Sequence, residues 1–220
     1  MYTTQTSLAE LATQLPAASR VFHHHHLDFC CGGRASLAAA CATKKIDAAA
    51  VLAEIESASA TTPPGPEVMR MTVPALIDHI LERYHQPLPA ELARLRAMAD
   101  KVERVHADKP DVPRGLASHL AVVESELLDH LAKEEQVLFP MVRISMGVAT
   151  RGPIAVMLRE HDDHAENLRK TRRLAHDLVP PPAACNTWRA LYLGLDALER
   201  ELMEHIHLEN NVLFPRVLAD

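Results

Sequence analysis

The chain has 220 residues, 23 Lys and Arg against 29 Asp and Glu, and a formal net charge of −6 at pH 7. A mildly acidic chain with no long basic run is not expected to bind nucleic acid. No apolar stretch approaches the roughly 20 residues that span a bilayer.

From the N-terminus, MYTTQTSLAELATQLP lacks a basic region followed by an apolar core, so the expectation is a cytoplasmic protein without a secretory signal. In that compartment Cys30, Cys31, Cys41 and Cys185 should be thiols. Short amphipathic pieces, SLAELATQL and IDAAAVLAEIE, flank a CCGG turn. They predict a small helical module over residues 1–60. TTPPGP, residues 61–66, cannot continue a helix and opens a linker, 61–71.

Residues 72–220 carry four long helical patterns. The first runs from Val73 toward His106, with a kink or break expected at Pro87 and Pro89. KPDVPRG, 109–115, is a loop, and the second helix runs from Leu116 to Ile144. The third starts at Arg151-Gly152-Pro153 and ends before VPPPAA. The fourth, capped by Asn186 or Thr187, reaches the C-terminus. No alternating strand pattern appears. The fold class is therefore all-α, an antiparallel four-helix bundle preceded by the small domain.

Fourteen histidines are the anomaly of the composition. Ten lie outside the run His23–His26, and an internal repeat organises four of them. ELLDHLAKEEQVLFPMV, 126–142, and ELMEHIHLENNVLFPRV, 201–217, share 9 of 17 positions at an offset of 75. In the first copy Leu127, His130, Glu134 and Leu138 lie on one helical face. In the second, Leu202, His205, Glu209 and Leu213 do the same. An ionised glutamate on an apolar face is costly unless a cation meets it. His85 precedes His130 by 45 residues and His161 precedes His205 by 44, each in phase with its own apolar stripe. The expected metal ligands are thus His85, His130, Glu134, His161, His205 and Glu209. Two metals, each taking two histidines and sharing both carboxylates, would use the whole set. Imidazole plus carboxylate suits iron, manganese or zinc. An oxo- or hydroxo-bridged pair of non-haem irons, open to O2 or NO, is the expectation. Only Glu82-x-x-His85 fits the ferritin-like Glu-x-x-His pattern, so that arrangement is set aside.

His79, His106, His119, His164, His176 and His207 lack repeat partners and are expected at the surface, as caps, or orienting a ligand. His106 and His164 are the best candidates for that last role. Glu160 is expected to point away from the site, because it diverges by about 100° from His161. Cys41 and Cys185 read as core residues.

The LDFCCGG, VERVHADKP and two HxxxExxVLFP stretches together resemble the iron-sulfur cluster repair di-iron proteins, the RIC family. The resemblance covers essentially the whole chain. It implies an N-terminal Cys-Cys domain and a hemerythrin-like bundle with a non-haem di-iron centre on the six ligands above. It also implies a stress response: restoration of iron-sulfur clusters damaged by nitric oxide or peroxide. The alternatives are a di-iron nitric oxide reductase making N2O, a reversible NO or O2 binder, and a structural zinc bundle. Expected partners are damaged iron-sulfur proteins, NO or O2, and an electron donor for the reductase alternative. A homodimer is compatible with each. The sequence departs from the family in its HHHH run and in the Pro87/Pro89 pair.

The four histidines of VFHHHHLDFCCGG face different directions on a helix and read as a solvated helix end; His23 and His26 could at most share a weak surface metal. Cys30 and Cys31 are adjacent, which disfavours a disulfide between them. They read as the functional thiols, with a helix start near Ala35 and Arg34 expected to lower a thiol pKa.

Overall fold

The computed structural model describes residues 1–15, 17–61, 68–144 and 147–219. The TTPPGP punctuation beyond Thr61 lies outside the described residues. Helix dominates, and among the described residues the only β pairing is an isolated bridge, Ser7 with Ser36. By packing, the chain divides into Met1–Asp78 with Leu202–Asp220, and His79–Glu201.

In the first unit, α1 (Leu8–Gln14), α2 (Ala18–His24), α3 (Leu37–Lys44) and α4 (Ala48–Thr61) pack together. Ser7 and Ser36 cap α1 and α3, each hydroxyl accepting an N–H three residues on, at 3.2 Å. Their backbones pair reciprocally: Leu8 N donates to Ala35 O, and Leu37 N to Thr6 O, both at 3.0 Å. Leu11, Phe22, Phe29, Leu37 and Ile55 are fully buried between these helices. Each such side chain contributes about 1.5–3 kcal/mol.

The HHHH run ends α2, as a helix end was expected to. His24 is exposed, His25 pairs with Glu54 of α4 at 2.7 Å, and His26 turns left-handed at φ 53°. His23 differs from the expectation: it is buried.

In the second unit, α6 (Leu88–Val105), α7 (Leu116–Lys133), α9 (Arg151–Leu174) and the first part of α10 (Asn186–Leu208) form the predicted antiparallel four-helix arrangement. Arg96 pairs with Glu124 while Ala117 N donates to Glu103, so α6 and α7 run oppositely. Asn167 bonds Glu126 and Glu160 bonds Lys133, so α7 and α9 do too. Arg83 reaches Glu201 at 2.6 Å, and Gly194 of α10 faces Leu95 of α6, giving the third antiparallel pair. Gly194 is required there: a Cβ would stand 2.6 Å from Leu95 Cδ2. α8 (Phe139–Arg143) continues α7.

The break expected at Pro87 and Pro89 takes a particular form. Between α5 (Val73–Ile80) and α6 lies a wide π-helical turn, Leu81–His85. Two more occupy Glu134–Leu138 and Glu209–Leu213, the last leading into α11 (Phe214–Ala219). Each is followed by proline: Pro87, Pro140 or Pro215. Proline has no N–H, and its ring collides with the carbonyl four residues back. Widening the turn moves that carbonyl away. The residue before each proline then bonds five residues back: Gln86 to Leu81, Phe139 to Glu134, Phe214 to Glu209.

The fourth helix begins slightly earlier than predicted. Asn186 is already helical, and Cys185 precedes it, its carbonyl accepting from Arg189 N. Cys185 is exposed rather than core, standing just ahead of α10; Cys41 is buried as expected.

Candidate metal centre

The wide turns carry three of the predicted ligands. His85 closes the first, Glu134 opens the second and Glu209 opens the third. Such insertions recur at functional sites because they re-aim one side chain without ending the helix. All six predicted ligands are at most 3% exposed, and both glutamates are wholly buried.

In the second unit, Glu134 Oε2 lies 3.6 Å from His85 Nε2 and 3.5 Å from His130 Nε2. His161 Nε2 is 3.1 Å from His130 Nε2. The outer nitrogens fix the tautomers. His85 Nδ1 sits 2.9 Å from Glu135 Oε1, and His130 Nδ1 sits 2.9 Å from Glu160 Oε2. A carboxylate only accepts, so each Nδ1 carries a proton, and in the neutral ring each Nε2 turns a lone pair inward. The spacings from Glu134 exceed a hydrogen bond. Inward lone pairs around a buried carboxylate form a donor set that a cation satisfies. In the first unit, His205 Nε2 and Glu209 Oε1 stand 3.1 Å apart and equally buried. The residues present therefore fit a nitrogen- and oxygen-bound metal of the iron or zinc type.

Glu160 corrects the sequence reading. It does not point away but holds His130, because α7 packs over both positions. Its partial burial acts against ionisation, yet bonds to Lys133 and His130 hold its carboxyl below the usual range. Glu135 was missed; its only signal was adjacency to Glu134. His164 lies beside the site, its ring edge-on to that of His130 with centroids 4.8 Å apart. His106 does not: it bonds Cys185 at 3.2 Å and packs on Trp188. His207 is buried against Phe29, not at the surface, and contacts Thr13 and Asn211. A cleft of about 420 Å³ between α7 and α9 is lined by Glu126, Asp129, Lys133, Glu160, Asp163 and His164, and is predominantly acidic.

Cys30 is buried and Cys31 half-buried, and neither forms a disulfide. They precede α3 by several residues, so the N-terminus of that helix is not beside them. The expected depression of a thiol pKa fails for Cys30. Its bond to Cys31, its burial and the nearby Asp28 charge push it well up. Depression occurs instead at Cys185, where the Trp188 N–H at the start of α10 donates to the sulfur; slight burial opposes this and His106 adds to it.

A helical bundle with buried, inward-facing His and Glu donors defines a cation-binding four-helix protein. Residues 76–217 match the hemerythrin HHE cation binding domain, and the chain belongs to that family. Residues 4–59 match a domain of unknown function, DUF542. The chain is 47% identical over 212 residues to the iron-sulfur cluster repair protein YtfE of Citrobacter koseri, covering 96% of each chain. It is 46% identical, with the same coverage, to proteins of that name from Escherichia coli O17:K52:H18 and Escherichia fergusonii. The resemblance read from LDFCCGG and the HxxxExxVLFP repeat is borne out.

Proposed function

We propose that this protein repairs iron-sulfur clusters damaged by nitrosative or oxidative stress, holding non-haem iron in the bundle and supplying it to the damaged cluster. The observation that carries the reading is Glu134, wholly buried beside the inward nitrogens of His85 and His130. The name shared by relatives at 46–47% identity supports the repair role.

In this reading His85, His130, His161 and His205 with Glu134 and Glu209 would hold two irons. The bound irons would supply a releasable stock of metal and open positions for NO or O2. Glu135 and Glu160 keep the imidazoles oriented, and the acidic cleft beside Glu160 draws cations toward His130. Cys30 and Cys31 act in transfer. The functional parts are residues 1–60 and 72–220, joined by 61–71. The reading puts the protein in the cytoplasm, where its thiols stay reduced.

The test begins with iron content and optical spectrum of protein purified anaerobically, followed by incubation with a cluster protein damaged by NO. About two irons per chain, as expected for a carboxylate site in a bundle, with return of the target's activity, is the expected result. Catalytic consumption of NO with an added reductant, and no restoration of the target, would replace repair by nitric oxide reduction. Zinc alone would reduce the site to a structural one.

A further inference from the structure

Outside the buried histidine site, Asp28, Cys30 and Cys31 bring thiol and carboxylate donors together in one turn. We propose that Asp28, Cys30 and Cys31 form a second metal site, a bis-thiolate and carboxylate clamp for one thiophilic divalent cation, with a coordination position left open.

Oxygen and sulfur ligand atoms of the three residues all lie within 4.8 Å of one another. The two sulfurs are 3.8 Å apart, and Cys30 Sγ is 3.3 Å from Asp28 Oδ1. A tetrahedral ion with metal–sulfur bonds of about 2.3 Å places its sulfurs about 3.8 Å apart. The spacing is therefore that of two thiolates sharing an ion, and far from the roughly 2.05 Å of a disulfide.

The turn that presents these donors is built in advance. Asp28 Oδ1 accepts from Cys31 N at 3.0 Å and Gly32 N at 3.1 Å. Asn210 and Asn211 each donate to Cys30 O at 3.2 Å. A Cβ at Gly32 would stand 2.8 Å from Asp28 O, and one at Gly33 2.6 Å from Phe29 O, so only glycines allow the bend. Cys31 is half-buried and gives the entrance, while Cys30 lies beneath it. The negative neighbours that oppose ionisation of Cys30 are what a cation relieves; a coordinated thiol is deprotonated outright.

Binding breaks two S–H bonds, forms two metal–sulfur bonds and passes two protons to solvent, with no change of oxidation state. Two thiolates and one carboxylate leave the loaded site with one net negative charge and room for a fourth ligand from elsewhere. That incomplete shell suits exchange rather than structure. The turn also touches the main site's own helix. Asn210, which bonds Cys30 O and whose Nδ2 is 4.0 Å from Cys31 Sγ, follows the ligand Glu209 directly. Use of the clamp as a station for iron on its way to a cluster rests on the repair reading; the binding itself does not.

The experiment titrates iron-loaded, fully reduced, full-length protein with Co²⁺ under anaerobic conditions and follows thiolate-to-cobalt charge-transfer absorption. The expected result is saturation at one equivalent. Cys31→Ser and Cys30→Ser should abolish the absorption, Asp28→Asn should weaken binding at least tenfold, and Cys185→Ser should leave it unchanged. Cys31→Ser, at the half-exposed position, keeps the test decisive if Cys30→Ser does not fold. Absence of the absorption under excess cobalt, or its survival in Cys31→Ser, overturns the site. Wild-type protein that restores clusters without the absorption overturns the clamp alone. Protein that shows it but restores nothing supports the clamp and overturns the repair reading.

Discussion

Single side chains decide whether the buried imidazoles can serve a metal. Glu160 holds the proton of His130 on Nδ1, so Glu160→Gln removes the charge that favours this tautomer. Iron affinity should fall about 10–100-fold, the usual cost of losing such a partner; competition with a chelator measures it. Thiol reactivity should follow environment rather than motif. Cys185, exposed and lowered by the Trp188 N–H, should be alkylated by iodoacetamide before Cys30, as peptide mapping at short times would show. His119 offers a pH signature. It is buried against Asn167 O and Thr171 Oγ1, both at 3.1 Å, and burial holds its pKa below the ordinary 6.5. The unfolded chain therefore takes up this proton first on acidification. The stabilisation is complete above 6.5 and is lost progressively as pH falls below it. In His119→Gln the loss of urea midpoint between pH 7 and pH 5 should be smaller than in the parent; an equal loss would refute the assignment.

At the scale of elements, the recurring device is the π-helical turn ending before proline. The VLFP half of each repeat is a structural instruction. By denying the N–H at Pro140 and Pro215, it keeps the turns that open with Glu134 and Glu209 wide. Pro140→Ala and Pro215→Ala restore that N–H and permit ordinary helix. The metal-free protein should then gain stability, up to about 3 kcal/mol for each proline relieved, while iron affinity drops as the glutamates swing off the face. Urea melts with and without iron measure both. A gain in the two forms alike would mean that the turn does not serve the site.

At the scale of the molecule, the chain's two ends meet in one unit. Phe29 packs on His207 with ring centroids 5.6 Å apart, Thr13 bonds His207 at 3.2 Å and Ser19 bonds Glu204 at 3.1 Å. The N-terminal helices therefore cover the segment that carries His205 and Glu209. A chain lacking residues 1–60 should lose hydrogen-exchange protection across residues 204–216 and release iron faster. Unchanged protection there would show that the C-terminal segment is held by other means.

Much of this was legible in one dimension. Helical periodicity put His130 with Glu134 and His205 with Glu209 on apolar faces, and the repeat paired them with His85 and His161, because a ligand must share its helix's buried stripe. CCGG announced a tight turn, since only glycine tolerates so close a backbone. What tertiary packing decided was everything set by a neighbouring helix. Glu160, one residue off its own stripe, meets His130 because α7 spans that angle. Cys185 lies outside the core, just ahead of α10, with His106 against its sulfur. The Cys30 thiol is raised because burial, Cys31 and Asp28 outweigh any distant helix end. The sequence determines which side chains share a face; a side chain's partner and charge depend on the surface packed against that face.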